Sequence, residues 1–158
     1  MESFLFSLQE SWLAGIMFGW TWSWPIAETI HFFGMTILFG ALLVTDLRLI
    51  GFFKSMPIQA THTLINLAIL GFVLNLITGI AFYAGDPFRY TYALAFQLKM
   101  VFMVLAALNA AFFTFKLQPT WGDWDPHGTP PKAAVISGAL SIGFWTLVVI
   151  FGRLIPYL

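Results

Sequence analysis

The sequence has no cysteine, few charges of either sign and no basic patch. Without cysteine there can be no disulfide scaffold, no thiol chemistry and no thiolate-held zinc or iron–sulfur centre. Charged residues are 9% of 158, against roughly 25% in an ordinary soluble domain. That is too little polar surface to coat a soluble globule. Seven basic residues balance seven acidic ones, which leaves no electrostatic footprint for nucleic acid. No Lys or Arg precedes Arg48, so the positive n-region of a cleaved signal peptide is missing and none is expected. Hydrophobic residues, by contrast, reach 59% and aromatics 18%, and mean hydropathy is +0.86. Such a chain is not disordered. Its composition leaves an integral membrane protein.

A bilayer-crossing helix needs about 20 mostly apolar residues. Four segments qualify, at about 25–46, 63–84, 93–115 and 133–152. None alternates with period two, so an outer-membrane barrel is not expected. The N-terminal stretch 1–24 differs: Gly15 and Gly19 break it, and it holds Trp12, Trp20, Trp22 and Trp24. Tryptophan favours the headgroup boundary, which predicts one short interfacial helix here. A short fifth span is the other reading. Pro25 is expected to open the first span at its favoured N1 position, and Asp86-Pro87 to mark a tight turn. The expected fold is all-α: an integral membrane four-helix up-down bundle over 25–158, preceded by an interfacial segment. Arg48, Lys54, Lys116 and Lys132 fall on one side, Arg89 and Arg153 on the other. The first side is therefore expected to be cytoplasmic, with both termini facing outward.

Small and polar residues in membrane helices face other helices, because lipid offers them nothing. Each span carries such a stripe. It runs through Glu28, His31, Met35, Leu38 and Leu42 in the first span, and Ala68, Gly71, Asn75, Thr78 and Phe82 in the second. In the third it is Lys99, Met103, Ala106, Asn109 and Phe113; in the fourth, Ala134, Ser137, Ser141, Trp145 and Gly152. Asn75, Thr78, Asn109 and Ser141 read as interhelical glue rather than ligands. The cytoplasmic half of the stripes is mostly Leu, Ala and Phe, which speaks against a continuous polar path.

Ionisable residues inside a membrane are functional candidates by default. Counting 1.5 Å per residue puts His31, Lys99 and Arg153 near one level in the outer half, with Glu28 one turn above His31. Two readings follow. In one, Glu28 pairs with Lys99 or Arg153, and His31 joins a polar network that sets helix register. In the other, His31 is the metal ligand, axial to a haem b iron; Lys99 and Arg153 neutralise propionates, and Phe32, Phe82 and Trp145 pack on the ring. His62 lies at the opposite end of its span, roughly 20 Å away along the normal, and cannot complete a bis-histidine pair. Glu28-x-x-His31 has the spacing of di-iron bundles, but no second copy exists. No Ser-His-Asp arrangement is evident. Asp123, Asp125 and His127, in the loop 116–132, read as routine loop residues rather than a metal motif. Asp46 and Arg48 do not share a helix face. They read as anchors, with Lys116 as a partner for Asp46.

The strings AETIHFFGMTILFGALLVTDLRLIGF (27–52), LITGIAF (76–82), FQLKM (96–100) with Asn109, and SGALSIGFW with FGRLIPY (137–157) resemble an uncharacterised family of small four-helix bacterial inner-membrane proteins. The resemblance covers 25–158. It implies the fold and a bacterial inner-membrane address but no activity; with that address, the outward termini expected from the Lys and Arg distribution are periplasmic. Its motif positions fall on His31, Asp46, Arg48, Gly79, Lys99, Asn109 and Arg153. More distantly the chain looks like the copper-resistance membrane proteins and membrane b-type cytochromes. The functional expectation is a cofactor pocket, with haem b as occupant, built from Glu28, His31, Lys99, Trp145 and Arg153. It would serve electron transfer or redox sensing, with quinone or a membrane redox partner. The alternative is a non-redox module: an accessory subunit of a membrane complex, a homo-oligomer, or a small-solute or ion carrier.

Overall fold

The computed structural model describes residues 2–124 and 130–158, and no strand occurs among them. Two short helices come first, α1 (Glu2–Gln9) and α2 (Trp12–Gly19). The long α3 (Ser23–Ile50) follows, then α4 (Thr61–Gly85), the short α5 (Pro87–Tyr92), α6 (Leu94–Phe112) and α7 (Lys132–Leu154). A π turn at Phe113–Leu117 and a 3-10 turn at Gln118–Asp123 prolong α6. Four helical segments are long and apolar enough to cross a membrane. The 28 residues of α3 give about 42 Å at 1.5 Å each, more than a hydrocarbon core of about 30 Å. At its end Gly51 takes the left-handed conformation (φ 109°), and its N–H returns to the last-turn carbonyls in a glycine C-cap.

Helix α3 is the central element. It packs along α4 on one side and α7 on the other, and α7 in turn packs along α6. Helices α4 and α6 scarcely approach each other. The tightest contact is between glycines of α3 and α4. A Cβ on Gly71 would lie 2.5 Å from the Leu38 backbone nitrogen and 2.6 Å from the Gly34 carbonyl oxygen. Only residues without side chains let the two backbones come so close. Gly138 does the same for α7: its Cβ would stand 3.1 Å from the Asp46 carbonyl oxygen. Leu38, Ala41 and Ala68 form one buried cluster, flanked by Phe72 and Trp145. Leu49, Ile58, Phe113, Trp121 and Ala134 form another at the far end. The outward faces carry large apolar side chains, including Phe32, Phe33, Ile77, Leu108 and Ile136.

Several boundaries differ from expectation. The N-terminal segment is two helices rather than one, because the Ser11 side chain accepts from the Ala14 N–H and caps a new start. It is also docked. Leu5, Ala14 and Met17 are buried, and Ser23 Oγ donates to the Ile16 carbonyl. Pro25 is the third residue of α3, not the first; its missing N–H still falls among the unbonded donors of the first turn. Asp86-Pro87 opens α5 rather than a bare turn, since the Asp86 side chain accepts from the Arg89 N–H. Asp46 is buried while Lys116 is exposed, and no ion pair joins them. Asp125 and His127 lie outside the described residues.

Candidate functional site

The weak α4–α6 approach leaves a lateral cavity of about 400 Å³. Its back is made by His31, Met35 and Leu38 of α3 with Trp145, Val148 and Val149 of α7. Its flanks are α4, through Phe72, Leu76, Gly79 and Ile80, and α6, through Phe96, Lys99, Met100 and Met103. Leu76, Ile80 and Met100 are exposed at the mouth. Tyr83 and Phe96 stack across the gap, centroids 5.7 Å apart at 17°, and bound one end. Its size falls within the range of about 300–1,000 Å³ typical of ligand sites, and its walls are mostly apolar.

Four polar side chains line it: His31, Asn75, Tyr83 and Lys99. Two have a protein partner. Asn75 Nδ2 donates to the Gly71 carbonyl at 2.9 Å, and the Tyr83 hydroxyl pairs with Thr91 at 2.9 Å. His31 is half satisfied. Its Nδ1 lies 2.7 Å from Thr78 Oγ1, and Thr78 Oγ1 lies 2.7 Å from the Leu74 carbonyl oxygen. A threonine hydroxyl has one hydrogen. Donated to Leu74, it leaves the oxygen to accept from His31 Nδ1–H. This network assigns the Nδ1–H tautomer and leaves the Nε2 lone pair unspent. The His31 ring is further held edge-on by Phe82, at 5.5 Å, and Phe82 stacks on Trp24, also at 5.5 Å.

Lys99 has no hydrogen-bond or ion-pair partner among the described residues. Gly152 lies beside its stem: a Cβ there would make ordinary van der Waals contact, 3.6 Å from Lys99 Nζ. Lys99 and His31 line the same cavity from α6 and α3. The cavity thus holds an unspent acceptor, His31 Nε2, and an unspent cation, Lys99 Nζ, on an aromatic and thioether wall.

Of the residues expected at the site, His31, Lys99 and Trp145 line this cavity. Glu28 and Arg153 do not. Glu28 is exposed; three residues before His31, it is rotated about 60° off that direction. Arg153 is exposed and its guanidinium sits 5.8 Å from the Tyr157 ring centroid. Gly152 faces Lys99, and the next residue is turned about 100° away. No ion pair joins Glu28 to Lys99 or Arg153 among the described residues. Phe32 is 65% exposed and turned outward, whereas Phe82 contacts His31. His62 is exposed, edge-on to Trp121 at 4.4 Å, and away from the cavity. Tyr83, Phe96 and Met100 were missing from the sequence stripes. Each lies at the α4–α6 gap, which no single-helix pattern reveals. Among the described residues, no group of three or more His, Asp or Glu converges as a metal centre. The chain matches no family model, no curated protein and no solved structure.

Proposed function

We propose that the chain is an up-down four-helix bundle of the bacterial inner membrane whose lateral cavity binds the oxygen-bearing head of a lipid-soluble molecule of the quinone class. The role is electron transfer or redox sensing with a membrane redox partner. The observation that carries this reading is the pair of unspent groups, His31 Nε2 and Lys99 Nζ, in an apolar cavity at the α4–α6 gap. In the quinol, one ring hydroxyl donates to Nε2 and the oxygen of the other accepts from Nζ; in the quinone, Nζ donates to a ring carbonyl. The ammonium also stabilises negative charge on that oxygen as the ring is reduced. Trp145, Phe72 and Phe96 supply ring contacts, and the gap lets an apolar tail run out between α4 and α6 into lipid.

Residue pairings support the up-down arrangement. His31 meets Thr78 while Leu38 meets Gly71, and Phe102 stacks on Phe151 while Asn109 bonds Ser137. The exposed apolar faces support insertion, since so much outward Phe, Ile and Leu is stable only in lipid. The distribution of Lys and Arg supports periplasmic termini.

A second reading, haem b, is favoured by one observation. An imidazole anchored through Nδ1–H with Nε2 free is the arrangement of an oriented axial ligand. Met35, Met100 and Met103 offer thioether sulfur on the walls, and Lys99 suits a propionate. The size favours the smaller guest. A volume of about 400 Å³ lies toward the lower end of the about 300–1,000 Å³ range of ligand sites, enough for a head ring but tight for a whole macrocycle.

The test is direct. Protein purified into nanodiscs from native membranes is extracted and its lipids analysed by mass spectrometry, alongside an absorbance spectrum. The expected result is co-purifying quinone, no Soret band, and a loss of about tenfold or more in affinity for a short-chain quinone in His31→Ala and Lys99→Met. A Soret band that vanishes in His31→Ala establishes haem instead. Quinone affinity unchanged in both variants overturns the quinone reading.

A further inference from the structure

A second cavity lies at the other end of the bundle and does not share a residue with the first. Asp46 is 15 residues beyond His31 on α3, about 22 Å along the helix axis. The cavity measures about 70 Å³, more than the ~15 Å³ that one water or a small ion of similar size needs. Asp46, Thr45, Asn109, Ser137 and Ser141 line it, from α3, α6 and α7. Asn109, Ser137 and Ser141 belong to the sequence stripes, whereas Thr45 and Asp46 do not.

Asp46 is 5% exposed, and its Oδ2 has no hydrogen-bond partner. The Ser141 hydroxyl shares the cavity wall with the carboxylate. Arg48, two residues on, does not line the cavity, and its Nε donates to the Met56 carbonyl at 2.7 Å. A buried carboxylate with an orphaned oxygen is strongly unfavourable unless a positive species joins it.

We propose that the Asp46 cavity binds a single monovalent hard cation, of the sodium class. The donor set selects the class. Every polar side chain on the wall presents oxygen, with no imidazole or sulfur, which favours a hard ion over a transition metal. Thr45 Oγ1 gives its hydrogen to the Ala41 carbonyl at 2.9 Å, so its lone pairs remain. Asn109 Nδ2 donates to the Ser137 carbonyl, and Ser137 Oγ donates to Asn109 Oδ1, both at 3.0 Å. That reciprocal pair fixes Asn109 Oδ1 as an acceptor with a lone pair to spare. One carboxylate balances one positive charge; a divalent ion would leave a buried excess. This goes beyond the quinone reading and stands whether or not that reading holds.

The full chain in nanodiscs is unfolded thermally in sodium, lithium, potassium or choline chloride at constant ionic strength. Binding to the folded state raises Tm with ion concentration. A saturable rise in sodium over choline is expected, abolished in Asp46→Asn, weakened about tenfold in Ser141→Ala and retained in His31→Ala. Equal Tm in all four salts overturns the proposal, as does a Tm that responds to pH but to no cation, since a proton then fills the role. If Asp46→Asn does not fold, Ser141→Ala decides, and unchanged sodium affinity there overturns it.

Discussion

Thr78 Oγ1 stands 2.7 Å from both His31 Nδ1 and the Leu74 carbonyl oxygen, and with its one hydrogen on Leu74 it accepts the Nδ1–H of His31. One hydroxyl therefore fixes both the tautomer and the tilt of an imidazole on the neighbouring helix. Such anchoring partners act on affinity through orientation rather than contact.

Thr78→Val removes the acceptor and keeps the shape. Quinone affinity is expected to fall about tenfold or more, with a stability loss of only about 1 kcal/mol. Thr78→Ser should restore most of the affinity. Ligand titration beside thermal unfolding checks this, and a Thr78→Val protein that binds as tightly as the parent counts against the anchoring role.

Lys99 has no protein counter-charge among the described residues. Lys99→Met should therefore leave the ligand-free protein as stable as the parent, or stabilise it by about 1 kcal/mol, while weakening ligand binding. Because Glu28 is exposed and unpaired with Lys99, Glu28→Gln and Lys99→Met should add within about 0.5 kcal/mol. A coupling energy well above that, from a double-mutant cycle, would show that the two charges do interact.

The α3–α4 approach can be tested through two glycines of one helix. Gly71→Ala puts a methyl 2.5 Å from the Leu38 backbone nitrogen, and backbone cannot yield cheaply. A loss of about 1–3 kcal/mol is expected. Nothing lies within 4 Å of a Cβ on Gly79, so Gly79→Ala should be neutral or slightly stabilising through helix propensity. Unfolding curves for the two variants make the comparison.

Asn109 and Ser137 exchange hydrogen bonds between α6 and α7. Asn109→Ala and Ser137→Ala should each cost about 1 kcal/mol, with a coupling of about 0.5–1.5 kcal/mol in the double variant. If the losses simply add, the pair does not hold α6 to α7.

The number of long helices was legible because twenty-residue apolar runs have no other use. Their ends were not, by a few residues, because capping is set by local side-chain bonds such as Ser11 to Ala14 and Asp86 to Arg89. His31 and Lys99 stood out because charge inside an apolar run is rare. Glu28 and Arg153 stood out for the same reason, yet neither reaches the cavity. Depth can be counted along a helix, but direction turns by about 100° per residue, and a small phase error moves a side chain from cavity to surface.

The helical class, the apolar runs and the two ionisable residues within them follow from the residue order, since hydropathy and helix rise are properties of the chain alone. Tertiary structure decided where space would be left. Gly34 and Gly71 draw α3 against α4, Gly138 seats α7 on α3, and the gap that remains between α4 and α6 becomes a cavity. The same packing gathers Asp46, Asn109 and Ser141 from three helices around a second, smaller space. Voids are set by how pairs of surfaces fit, and no one-dimensional pattern contains that fit.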